Sequence, residues 1–147
     1  MSYFTHDFID FFKDLTVNNS KDWFDANRKR YEKSVKKPFE NFIDEMIARV
    51  SADDPSIAIT AKDAMMRINR DTRFSPDKTP YKTHASAIIS SGGKKDKSIP
   101  GMYIQFDANE VRIYGGAHML EKDQLQRIRE AIAGNLDEFD RLLQAPV

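Results

Sequence analysis

The apolar residues change period along the chain, and that change limits the fold more than any other feature. Phe8, Phe11, Phe12 and Leu15 recur at helical spacing behind Thr5, a predicted N-cap, and Asn18-Asn19-Ser20 interrupts them. Ser20 caps a predicted second helix carrying Trp23, Phe24, Asn27, Tyr31 and Val35. Pro38 fits the first turn of a third, with Phe39, Phe42, Ile43, Met46, Ile47 and Val50. From Ser56 the period shortens. Met65 to Phe74 alternates as a strand, His84 to Ser90 is short and β-capable, and Gly101 to Gly116 reads as a hairpin about Asp107-Ala108-Asn109. Residues 121 to 143 return to helix, with Leu125, Ile128 and Ile132 on one face, a break at Gly134-Asn135, then Phe139, Leu142 and Leu143. Helices segregated from a small, mostly antiparallel sheet predict an α+β fold with helices at both ends.

A chain of 147 residues has room for one domain, spanning 1–147. Surface scaling gives burial of roughly 69% of the unfolded surface, enough for a core without covalent staples. The absence of cysteine excludes disulfides, thiolate metal sites and cysteine nucleophiles, and suits the cytoplasm. Asp7 and Asp10 stand where a secretory signal needs cations, and no apolar run approaches membrane-spanning length, so neither export nor a membrane is expected. The 23 Lys and Arg balance 23 Asp and Glu, which removes the global field of a general nucleic-acid binder.

Neutrality conceals a local excess. Residues 62 to 97 hold nine Lys or Arg against four Asp, interleaved with Phe74, Pro76, Pro80 and Tyr81. If residues 65 to 73 form a strand, Arg67, Asn69, Asp71 and Arg73 share one face, and Met66, Ile68, Arg70 and Thr72 the other. An Arg70 on the apolar face then needs a carboxylate, from Asp71 or Asp77. Arginine forks match phosphate and carboxylate oxygens, so three arginines followed by Lys78 and Lys82 on a proline-stiffened loop suit an anionic group. The candidate ligand-binding set is Arg67, Arg70, Asp71, Arg73, Asp77, Lys78, Tyr81 and Lys82. The structural alternative is a salt-bridge clamp, with the aspartates neutralising their neighbours and Tyr81 packed beneath.

The run Arg67-x-x-Arg70-Asp71-x-Arg73-Phe74-x-x-Asp77-Lys78-x-x-Tyr81 resembles the signature of domain-of-unknown-function family 2461, a mostly bacterial family. The resemblance extends upstream through Asn19-x-x-x-Trp23-Phe24-x-x-Asn27-x-x-x-Tyr31 to Pro38, and downstream through Gly92-Gly93 and Gly115-Gly116. Ala117-His118-Met119 replaces the Trp-and-Pro pattern expected after the paired glycines. Proteins similar to this one continue with further helical sequence beyond the point where this chain stops, so the resemblance implies the N-terminal portion of a longer family domain. It implies kinship and no activity.

Other signals are weaker. Ser91-Gly92-Gly93-Lys94-Lys95-Asp96-Lys97-Ser98 fails the phosphate-loop pattern twice, at Ile88 and Lys95, and reads as a mobile basic loop able to close over an anion. His6, His84 and His118 lack metal-ligand spacing, so no metal site is expected. His84 beside Lys82 is a candidate acid or base, and no G-x-S-x-G elbow activates a serine. Trp23, Phe24 and Tyr31 suit packing better than base stacking. These residues assign no nucleophile, cofactor, reaction or oligomeric state. The leading expectation is binding of a phosphorylated small molecule or nucleotide at Arg67 to Lys82. The alternatives are a nucleic-acid-binding surface and a structural or interaction domain using the motif as a clamp.

Overall fold

The computed structural model describes residues 3–145. Its helices are α1 (His6–Val17), α2 (Lys21–Ala26), α3 (Arg28–Tyr31), α4 (Lys37–Asp53), α5 (Ala61–Ala64), α6 (Lys122–Gly134) and α7 (Leu136–Leu143). Three strands, β1 (His84–Ile89), β2 (Gly101–Asp107) and β3 (Val111–Gly116), form one antiparallel sheet in sequence order. The fold is α+β, with helices before and after the sheet.

The N-terminal helices differ from the expected three. Asn27 leaves helical geometry at φ −103° and ψ 9°, dividing the second helix, and its side-chain amide bonds the Trp23 carbonyl at 2.9 Å. The boundary expected at Pro38 is absent, because a π-helical turn over Glu32–Lys36 joins α3 to α4. Proline removes one ladder donor and crowds the preceding turn, and the wider turn before it accommodates both effects. Arg30 ties this helix to α1 through Asp7 at 2.6 Å and Asp14 at 2.7 Å.

Period-two side chains give the sheet one face toward the helices and one away. Ala87 of β1 lies opposite Ile104 of β2, and Ala85 opposite Phe106, which contacts Phe4, Phe8, Phe39 and Phe42 at ring separations of 5.1–6.3 Å. Phe11, Phe12, Leu15, Phe39 and Ile43 are fully buried in the same core. The opposite face carries four rows: His84–Asp107, Ser86–Gln105–Arg112, Ile88–Tyr103–Tyr114, and Gly101–Gly116. Asp107 closes the expected hairpin by accepting from the Asn109 and Glu110 amides at 2.8 and 3.0 Å.

The C-terminal helices form with the expected break, where Asn135 accepts from Glu138 N–H at 3.4 Å. No residue of α6 or α7 is buried, and Leu136, Leu142 and Leu143 are each more than half exposed. Strand β3 is exposed along its length. The accessible surface is 10282 Å², against roughly 7,700 Å² for a compact monomer of this mass. Among the described residues, no helix is long and apolar enough to cross a membrane.

Candidate functional site

The strand expected over 65 to 73 is replaced by an interrupted ribbon ending in a loop. Met65 bridges to Ala87 and Asn69 to Tyr81, so four residue steps on one side span six on the other, which breaks the register. Met66 N–H donates to the Ser86 carbonyl, Lys82 N–H to Ile68 (both 2.8 Å) and Arg70 N–H to Pro80 (2.9 Å). Beyond Arg70 the aspartate side chains capture the backbone donors instead. Asp71 accepts from Arg73 N–H at 3.3 Å and Asp77 from Thr79 N–H at 2.9 Å. Such local turns compete with a ladder, and Pro76 and Pro80 contribute no donors to one.

Most of the candidate cations are spoken for within this loop. Arg70 binds Asp77 and the Thr79 hydroxyl through Nη1. Thr79 N–H, then Arg70, draws the Asp77 carboxyl down to about 2. Arg73 grips Asp71 through two nitrogens, at 2.9 and 2.6 Å, and holds its carboxyl well below the usual carboxylate range. Lys78 Nζ donates to the Thr72 carbonyl at 2.8 Å. Tyr81 is buried, its ring stacked 4.1 Å from that of Phe24, and both its backbone groups bond the Asn19 side-chain amide, at 2.9 and 3.1 Å. The expected need of Arg70 for a carboxylate is met by Asp77.

Arg67 and Lys82 behave differently. Among the described residues no carboxylate lies within 4.0 Å of Arg67, Lys82 or Lys97. Asp71 is near enough to Arg67 to feel its charge but pairs with Arg73. Part-buried Lys82 has its pKa pushed down, first by burial and then by the positive charges of Arg67 and Lys97. Lys82 thus feels the positive charge of Arg67 and of Lys97 with no carboxylate in ion-pair range to offset it.

Lys97 also lines a cavity of about 460 Å³ on the sheet's outer face. Tyr103 and Tyr114 form one wall, with ring centroids 6.1 Å apart and planes at 29°. Met66, Ile88 and Ile99 add apolar surface, Gly101, Gly115 and Gly116 leave the strand ends bare, and His118 stands at the rim. The 97 and 118 segments are joined where Lys97 C=O accepts from His118 and Met119 N–H at 3.0 and 3.2 Å. Tyr103 donates to Gln105 at 2.8 Å, and Gln105 to Asp107 at 3.4 Å, which fixes a polar track on the same face. Across the strand pair from Asp107 lies His84. Its pKa is lowered by burial and by Lys82, with Asp107 opposing.

The basic loop after β1 is anchored at Lys94. Its ammonium caps the end of α5 by donating to the Lys62 carbonyl and, at 2.9 Å, to that of Met65. Gly93 adopts φ +55°, and a Cβ there would lie 2.8 Å from the Asp63 carbonyl oxygen. This anchoring carries the chain on to Lys97. Among the described residues no three His, Asp or Glu side chains converge as metal ligands would.

Arg70, Asp71, Arg73, Asp77, Lys78 and Tyr81 are thus bonded within the loop or to Asn19, whereas Arg67 and Lys82 have no carboxylate in ion-pair range and Lys82 feels the charge of Arg67. Lys97, expected in a basic loop able to close over an anion, lines the cavity, and Tyr103, Tyr114 and His118 join it there from outside the motif. The hairpin alternation places Tyr103 beside Tyr114, and that was their one sequence signal. The model of a family described as Conserved hypothetical protein (DUF2461) matches residues 7–147. No curated protein and no solved structure matches the chain.

Proposed function

The chain belongs to the DUF2461 family, and from that premise we propose that it binds a phosphate-bearing small molecule of the cytoplasm on the outer face of its sheet. Arg67, Lys82 and Lys97 hold the anion. The observation that carries this is a part-buried Lys82 set among like charges, with no carboxylate in ion-pair range. Removing an ammonium from water and crowding it with cations both cost free energy, and a bound phosphate offsets both. The arginine fork supplies two parallel donors and the lysines supply point charges. The clamp residues serve this site indirectly, by fixing the loop between Arg67 and Lys82. No reaction is assigned.

The test is a thermal-shift titration with ribose 5-phosphate of the chain, Lys82→Met and Arg73→Ala. At about 100 times the dissociation constant a ligand adds roughly 2.7 kcal/mol, or on the order of 5–10 °C at this size. The shift is expected in the parent and in Arg73→Ala, and at about half or less of that size in Lys82→Met. No shift in the parent, or an equal shift in Lys82→Met, refutes the proposal. A larger, steeply salt-dependent shift with short RNA or DNA transfers the surface to nucleic acid.

A further inference from the structure

The cavity that Lys97 lines is large enough for a small molecule. Its volume of about 460 Å³ falls within the roughly 300–1,000 Å³ of small-molecule sites. Lys97 lines the cavity, and Arg67 directly follows Met66, which lines it too, so an anion held by these cations has the rest of its molecule beside the cavity. What it meets there is flat and apolar. Tyr103 and Tyr114 present neighbouring rings, and Tyr114 is 58% exposed although it sits within a strand. Beyond them the strand ends carry no side chains. Gly116, at φ +133°, has a backbone that favours glycine, and Gly101 has the Ile89 carbonyl oxygen 2.6 Å from where a Cβ would stand. Gly116 shares the tyrosines' face, opposite Gly101, and nothing lies within 4 Å of a Cβ added to it, so the bare backbone leaves open space beside the aromatic wall.

We propose that the ligand's second end is a planar heteroaromatic ring, laid over the bare strand ends and stacked on Tyr103 and Tyr114, which makes the ligand class a nucleoside monophosphate. This rests on the phosphate reading for one end of the molecule and adds the ring at the other. Ring stacking on tyrosine tolerates any base, because every base has a π-face. The polar track from Tyr103 to Asp107 runs away from the glycine end, so the ring lies over the glycines and the apolar wall.

Calorimetric titration of the full chain with adenosine 5′-monophosphate, ribose 5-phosphate and adenosine separates the two ends. The monophosphate is expected to bind at least about tenfold more tightly than ribose 5-phosphate. Tyr114→Ala should erase that preference while leaving ribose 5-phosphate affinity unchanged, and Tyr114→Phe should keep it, since the ring and not the hydroxyl does the stacking. Equal affinity for the two phosphates overturns the ring inference while the phosphate reading stands. Adenosine binding that is lost in Tyr114→Ala, with no contribution from phosphate, does the reverse. Loss of all binding in Tyr114→Ala with an unchanged melting temperature also overturns it, because stacking is then not separable from the anion contact. No binding of any of the three ligands overturns both.

Discussion

Replacing Asn19 by alanine tests how the helical layer holds the cationic segment. The Asn19 side chain behaves as a one-residue strand against Tyr81: its Nδ2 donates to the Tyr81 carbonyl at 2.9 Å and its Oδ1 accepts from Tyr81 N–H at 3.1 Å. Tyr81 is 6% exposed, so water does not readily replace either partner. Leaving a buried backbone group unsatisfied costs about 1–3 kcal/mol, so two part-buried groups together cost about 2–4 kcal/mol. At roughly 2–4 °C per kcal/mol for a chain near this length, Asn19→Ala should melt roughly 4–16 °C lower. Asn19→Asp retains an acceptor for the N–H and loses the donor to the carbonyl, and should fall between the two. Scanning calorimetry or circular dichroism melting reads the result. An unchanged Tm in Asn19→Ala refutes the claim that this amide, 62 residues away in sequence, secures Tyr81 and with it the neighbouring Lys82.

Two further predictions concern the loops on either side of the cations. The Asp77 carboxyl, held at about 2 against an ordinary 3.8, stabilises the fold above its unfolded pKa and loses that contribution as pH falls from about 4 toward 2. The difference in Tm between the parent and Asp77→Asn should be largest near neutral pH and disappear as pH falls through about 2; a constant difference across a pH series contradicts the Arg70–Asp77–Thr79 assignment. Gly93→Ala forces a left-handed backbone on a residue with a Cβ, about 1–2 kcal/mol, and sets that Cβ 2.8 Å from the Asp63 carbonyl oxygen. It should lower Tm where Gly115→Ala does not, and equal melting of the two variants refutes the close approach.

The apolar spacing was enough to place α1, the hairpin and both C-terminal helices, because in each the period runs uninterrupted between a cap and a breaker. It misled where side chains compete with the backbone. Alternation from Met65 to Phe74 is present in the sequence, yet Asp71 and Asp77 take the donors a ladder needs, and two extra residues between Tyr81 and Ala87 spoil the register. Pro38 suggested a helix start, whereas a π-helical turn absorbs it within a running helix. The need of Arg70 for a carboxylate was legible as a cost of burying charge. Which cations would remain unpaired was not, since Arg73 and Arg67 look alike in sequence and only the loop's closure gives Asp71 to one of them. The basic loop that carries Lys97 was legible as a partner for an anion, but the tyrosine wall was hidden because it comes from a hairpin more than 15 residues beyond Lys82.

The anion site itself is tested most directly by calorimetric titration of ribose 5-phosphate into the parent chain, Arg67→Ala, Lys82→Met and Lys97→Met at one ionic strength. Charge-assisted hydrogen bonds are worth about 1.5–3 kcal/mol each, so each substitution should weaken binding about tenfold or more while the melting temperature without ligand is kept or raised. Saturable single-site binding in the parent, weakened in all three variants, is the predicted result. Binding that is absent from the parent, or equally strong in the parent and Lys82→Met, contradicts an anion site built from these three cations.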